Sequence, residues 1–206
     1  MEGSLGIIIL ILLCCIVVFV VIVGIAGIVI YNSIVKAKTR VNETLQQIDV
    51  RLQNRYDLLP DLIQAVEKAT TTDKEIQTRI AEVRSAADEA KSTQVSTDNA
   101  EKAAATEDRL TSAIQGLRIS VEAYPELRSQ EAIQNFMNQD QSIEEKIAAA
   151  RQIYNSTVRE YNEKIAVFPN SILAGMFKFQ PATYFEAKDE AKADISPDWG
   201  GKTVTR

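Results

Sequence analysis

From Leu5 to Ile30 the chain reads LGIIILILLCCIVVFVVIVGIAGIVI, 26 residues without a charge. About 20 apolar residues cross a bilayer as a helix, so this run is long enough to span one with some tilt. A secretory signal has a basic start, a shorter apolar core and a small-residue cleavage site. Here the start is MEGS and the exit is YNSIVKAKTR, and the expectation is an uncleaved signal-anchor. Residues 1–4 would form a short extracytoplasmic N-terminus and residues 5–30 the transmembrane helix. Lys36, Lys38 and Arg40 follow the run, whereas Glu2 precedes it. Positive residues stay in the cytoplasm, so the remainder of the chain is expected there, at the cell membrane. Tyr31 falls where an interfacial aromatic anchors a helix among headgroups. Tyr31, Lys36, Lys38 and Arg40 therefore form the expected membrane-interface set.

All 23 basic residues and 27 of the 28 acidic ones lie beyond Val35, Glu2 being the exception. That near-balanced, slightly acidic remainder has no basic stripe, which argues against nucleic-acid binding. Histidine is absent, removing the commonest general base and the commonest metal ligand. Cys14 and Cys15 are adjacent inside the apolar run and read as small apolar side chains facing lipid. They can build neither a disulfide framework nor a thiolate zinc site. No metal, cofactor or catalytic residue is expected.

Beyond Tyr31 the hydrophobic period becomes helical. Ile34, Val41, Leu45, Ile48, Leu52, Leu59, Leu62, Val66 and Ala69 form one stripe, interrupted by Lys38 and Arg55. No Gly or Pro occurs between Ile28 and Leu59, so the membrane helix should run on unbroken for roughly 80 Å. Pro60 removes one backbone donor and should kink this helix rather than end it. Thr72 or Asp73 caps a second helix carrying Ile76, Ile80, Val83, Ala87 and Ala90. Thr97 or Asp98 caps a third, with Ala103, Leu110, Ile114, Leu117 and Val121, ending near Ala123. YPELRSQ reads as a turn. The fourth helix carries Ile133, Phe136, Asp140, Ile143, Ile147, Ala150, Tyr154, Val158, Tyr161, Ile165 and Phe168, and Pro169 stops it.

Long helices on short loops make antiparallel neighbours. The expected fold is all-α, an N-terminal transmembrane helix continuing into an antiparallel up-down four-helix bundle over residues 31–168. Paired end to end, the first and fourth stripes put Tyr161 level with Val41 and Tyr154 with Ile48. The second helix covers only ~30 Å of a ~54 Å bundle. Val41, Leu45, Ile48, Tyr154, Val158, Tyr161 and Ile165 would then form an uncovered apolar neck in need of a partner. Arg55 interrupts an apolar stripe, and the register makes Glu144 and Glu145 its nearest carboxylates for a structural ion pair.

Tyr154-Asn155 and Tyr161-Asn162 repeat one dipeptide at heptad spacing. A stripe tyrosine buries its ring and needs a hydroxyl partner, and a flanking asparagine can bond across helices and set register. Arg55, Asp57, Pro60, Tyr154, Asn155, Tyr161 and Asn162 are the candidate interaction or register-setting residues. Ser33 to Lys36 matches S-x-x-K without its companion motifs, a chance match on an exposed helix. The aromatic segment 169–185 should lie near the membrane and fold back over the neck, the alternative being a place among headgroups. Residues 186–206, Trp199 included, read as a disordered tail.

YNSIVKAKTRVNE, RLQNRYDLLPDLIQAV, VEAYPELRSQEAIQNF and IEEKIAAARQIYNSTVREYNEKIAVFP, in this order behind an N-terminal anchor, closely resemble the LemA family of bacterial membrane proteins. The resemblance covers about residues 31–185. It implies a single-pass protein with its N-terminus outside and a helical bundle domain, and it brings no assigned enzymatic activity or cofactor to carry over. The family's leucine-isoleucine-proline-asparagine stands here as Leu58, Leu59, Pro60, Asp61, departing at the last position. Family association also implies a link to envelope proteases. The expected function is a non-enzymatic, membrane-anchored scaffold or adaptor of the cell envelope. Its partner would be a second copy, making a homo-oligomer, or another membrane protein. The alternatives are a carboxylate-based enzyme using Arg55 or Arg151, and a peripheral membrane-shaping element acting through Phe168 to Phe185.

Overall fold

A computed structural model describes residues 2–69, 73–93 and 95–186. Their regular structure is entirely helical: α1 (Glu2–Ala69), α2 (Lys74–Ser92), α3 (Ala100–Ala123), α4 (Pro125–Arg128), α5 (Glu131–Ala166) and α6 (Asn170–Met176). Thr72 and the expected disordered tail with Trp199 lie outside the described residues.

α1 is one helix of 68 residues. With no Gly or Pro between Ile28 and Leu59, nothing local breaks it, and it passes through the exposed Pro60 without ending. Its large apolar side chains from Leu10 to Val29 stand exposed, between 52% and 68%. A helix apolar all round and covered by no protein has the character of a membrane span, and its length suffices for one. From Ile34 onward one face alone is buried, as the stripe requires: Ile34, Val41, Leu45, Ile48, Leu52, Leu59, Leu62 and Val66.

The chain divides into two compact units, residues 1–42 with 157–182, and residues 43–156 with 183–206. In the first, Ile34 and Val41 of α1, Val158, Tyr161 and Ile165 of α5, and Ala174 of α6 are buried. Tyr31 packs its ring against Phe177 (centroids 4.7 Å apart) and Phe179 (5.9 Å). Lys164 Nζ donates to Ser33 Oγ at 3.2 Å.

In the second unit the core draws on Leu52, Leu59 and Leu62 of α1, Ile76, Ile80 and Val83 of α2, Leu110, Ile114 and Leu117 of α3, and Ile133, Phe136 and Ile147 of α5. α2 and α3 pack along each other. Asp73 is the cap of α2, accepting from the backbone N–H groups of Glu75 (2.9 Å) and Ile76 (3.4 Å). Tyr124 adds a third donor through its hydroxyl, 2.6 Å from Asp73 Oδ2.

Several sequence expectations need correction. α3 starts at Ala100 behind Asn99, not behind Thr97 or Asp98, because Asn99 Oδ1 accepts from Ser96 N–H and closes a turn first. YPELRSQ is not a plain turn: Pro125, already fixed at a helical φ, opens the single-turn helix α4, whose Leu127 is buried. α5 ends at Ala166, and Phe168 is 79% exposed rather than part of the core stripe. A further helix, α6, then forms.

The uncovered neck does not exist as such. Val41, Leu45, Ile48, Tyr154, Val158, Tyr161 and Ile165 are each at most 8% exposed. The expected folding back of the aromatic segment supplies the cover, residues 180 and 182 bonding to Tyr161 and Asn162 in the first unit and residues 183 and 185 to Tyr154 and Asn155 in the second.

Candidate functional site

A single-turn spacing on α3 places Glu107 and Thr111 on one face, toward Arg55 of α1, while Asp140 approaches from α5. Arg55 Nη1 donates to Glu107 Oε1 at 2.5 Å and to Thr111 Oγ1 at 2.8 Å, and Nε donates to Asp140 Oδ1 at 2.8 Å. Tyr56 O–H donates to the other Glu107 oxygen at 3.1 Å. The three charged side chains are only 1–2% exposed. Arg55 Nη2 is buried too and makes no hydrogen bond among the described residues.

One guanidinium thus serves two buried carboxylates. Burial pushes the Glu107 carboxyl above the usual range, and the charges of Arg55 and Arg151 with the Arg55 and Tyr56 hydrogen bonds offset this only in part. Burial alone would lower Arg55, but Asp140 and Glu107 outweigh it and raise its pKa. Burial, then the Glu107 charge, lifts the Tyr56 phenol far above its ordinary value. The cluster joins α1, α3 and α5 by directional bonds. Its three charged side chains are sealed from solvent.

Glu144 and Glu145 are not the partners of Arg55. Both lie off the buried stripe, partly or fully exposed. Asp140 lies on that stripe and is 2% exposed. The face a side chain occupies decides its partner before its level along the helix does. Glu107 was missed by the sequence reading. Its signal was a gap, since Ala103 and Leu110 stand seven positions apart and position 107 falls between them on the same face.

The Tyr-Asn pairs form a second constellation. In the second unit, Tyr154 O–H donates to the Thr183 carbonyl at 2.8 Å. Asn155 Oδ1 accepts from Phe185 N–H at 2.9 Å, and its Nδ2 donates to Glu186 Oε1 at 2.8 Å. Phe185 stands edge-on to Tyr154 (6.4 Å, 87°), with the Arg151 guanidinium 5.1 Å from its ring centre. Arg151 also donates to Asp108 at 2.9 Å.

In the first unit, Tyr161 O–H donates to the Gln180 carbonyl at 2.9 Å. Asn162 accepts from Ala182 N–H at 2.9 Å and donates to its carbonyl at 3.0 Å. Each pair therefore supplies one hydroxyl donor and a two-ended amide to the irregular segment. The asparagines do not bond across helices as expected. The irregular segment has backbone groups left unpaired by any ladder, and these are the stronger claim on a buried amide. Burial, and after it the charge of Asp98, pushes the Tyr154 phenol up to about 12, and burial also raises Tyr161.

Asp57 is exposed and accepts from Gln53 at 3.0 Å. Pro60 lines a groove with Tyr56, Ile63 and Arg84. Lys36 and Lys38 are exposed, and Arg40 lies 3.8 Å from Glu160.

No curated relative matches the chain. The LemA family model matches residues 44–197, from α1 just before Leu45 through α5 and beyond the Tyr-Asn constellation. That stretch includes Arg55, Glu107, Asp140 and both Tyr-Asn pairs, so the match embraces every buried polar group described above, and the chain belongs to the LemA family.

Proposed function

We infer that this protein is a single-pass, membrane-anchored helical scaffold or adaptor without catalytic activity, its N-terminus outside and its helical domain in the cytoplasm. The observation that carries this reading is the continuity of α1. The same unbroken helix that holds the apolar run also holds Arg55, the hub of the buried cluster. One helix thus carries both the apolar run and a core residue of the helical domain. The lysines and arginine after the apolar run support the orientation.

The helical domain is an antiparallel four-helix bundle of α1, α2, α3 and α5 in this reading. Ties between their side chains support it: Arg84 with Glu67, Arg109 with Glu89, and Arg55 with Glu107 and Asp140. The buried cluster argues against the carboxylate-enzyme alternative, because its charges face one another. Partner contact falls outside the closed neck. In the second unit, Val50, Ile119 and Ile153 are the large apolar side chains that stand exposed among the described residues.

A photocrosslinking amino acid at each of these three positions, activated in intact cells, tests the reading. A discrete crosslinked species of a second copy or another membrane protein is expected from at least one site. Failure of all three to capture any protein would remove the scaffold reading.

A further inference from the structure

The first unit has an apolar edge that the described residues leave open. Phe168 is 79% exposed, Met176 70%, Ile172 56%, Phe177 54% and Val167 52%. Ile172 and Met176 are four apart on α6, hence on one face, while Ala174 is turned inward and buried. Five large apolar side chains exposed within eleven residues are more than the single scattered ones a soluble surface shows.

Two independent observations say what covers this edge. The first is position. The apolar run ends at Ile30, and Tyr31 follows. At 1.5 Å per residue its 26 residues measure about 39 Å, against roughly 30 Å of hydrocarbon, so the end of the run reaches the bilayer boundary. Tyr31 meets the ring of Phe177 at 4.7 Å and that of Phe179 at 5.9 Å. These ring contacts fix the C-terminal end of α6 at the same boundary. The second is charge. From Ile165 to Phe177 no residue is charged, and Lys164 and Lys178 flank the stretch. An uncharged apolar segment between two lysines suits an interface where rings and aliphatic chains enter the acyl boundary and ammonium groups reach the phosphates.

We propose that the segment from Val167 to Phe177 is an interfacial membrane element, its Phe168, Ile172 and Met176 inserted into the headgroup and upper acyl region of the leaflet that α1 leaves. The following residues, Gln180 and Ala182, turn back to Tyr161 and Asn162 and do not share this role. The chain is thereby held to the bilayer at two places, by the α1 span and by an insertion beside it. This second contact concerns lipid and stands whether or not the scaffold reading does.

The test uses the full chain in liposomes. With Trp199→Phe removing the natural tryptophan, Phe168→Trp, Met176→Trp and, as the reference, Ile119→Trp each report one position. Ile119 is 69% exposed and belongs to the second unit. Lipids brominated high on their acyl chains should quench tryptophan at 168 and 176 about threefold or more strongly than at 119, with blue-shifted emission. Equal quenching at the three positions, with free access of an aqueous quencher, would overturn the proposal. So would protection of 168 and 176 from both quenchers, which would mean that protein covers them. Met176→Trp keeps the test decisive should Phe168→Trp fold poorly, since that side chain touches little of the core.

Discussion

Replacing Arg55 by methionine preserves much of the side-chain volume and removes the only cation bonded to Glu107 and Asp140 among the described residues. Two carboxylates at 1–2% exposure would be left facing each other. Breaking a buried pair in this way costs about 3–5 kcal/mol. The structure also sets how that cost varies with pH. A stranded carboxylate can escape its charge by taking a proton, which from an ordinary Glu pKa costs roughly 3.7 kcal/mol at pH 7 but only roughly 1 kcal/mol at pH 5.

The folded variant therefore binds protons that its unfolded chain releases, and its stability falls as pH rises through this window. Urea unfolding of the full chain in detergent micelles, followed by circular dichroism, should show Arg55→Met losing most at pH 7 and recovering much of the deficit at pH 5. Adding Glu107→Gln and Asp140→Asn should restore part of the loss at pH 7. A deficit below about 1 kcal/mol at pH 7, or one that is flat from pH 5 to 7, would refute the buried-charge account.

In the unmodified chain the burial-raised Glu107 carboxyl contributes stability that is complete below the ordinary Glu value and is lost as pH rises through its folded value. Glu107→Gln should flatten that part of the pH profile in the same assay. Asn155→Ala should expose Phe185 N–H and Asn162→Ala should expose Ala182 N–H, each speeding hydrogen exchange at its own amide by about 5- to 150-fold. Either change speeding both amides equally would mean the segment opens as one piece. The Tyr124 hydroxyl, followed by the backbone N–H groups, holds the Asp73 carboxyl below its usual range. Its contribution is thus present above the ordinary Asp value and disappears as pH falls through the folded value. Asp73→Ala should lower the melting temperature at neutral pH and lose that effect in acid.

Helix content was legible because buried faces repeat every three or four residues. Every apolar member of the first stripe from Ile34 to Val66 is buried. What periodicity could not give was the cover over Tyr154 and Tyr161. Segment 177–186 has no period, and it is held by its backbone, whose groups are the same for any sequence. The charge cluster was half legible. Arg55 and Asp140 each interrupt a stripe, and Glu107 fills a gap in another. Interruptions of opposite sign on neighbouring helices belong together, and pairing them would have found the cluster. Choosing the partner by level along the helix led instead to Glu144 and Glu145. Helix ends were displaced by small polar closures such as Asn99 on Ser96, which no apolar pattern records.

The Tyr-Asn dipeptide has a consequence within each unit. In the first, Tyr161 holds Gln180 and Asn162 holds Ala182. In the second, Tyr154 holds Thr183 and Asn155 holds Phe185. Two successive helix residues therefore clasp segment residues two positions apart, leaving Pro181 or Tyr184 between the holds. Such a clasp tolerates most side-chain changes in the segment, because it grips backbone, but not a change in its length. Losing or gaining one residue between the two holds of a unit shifts the second by up to about 3.3 Å, beyond the reach of a hydrogen bond.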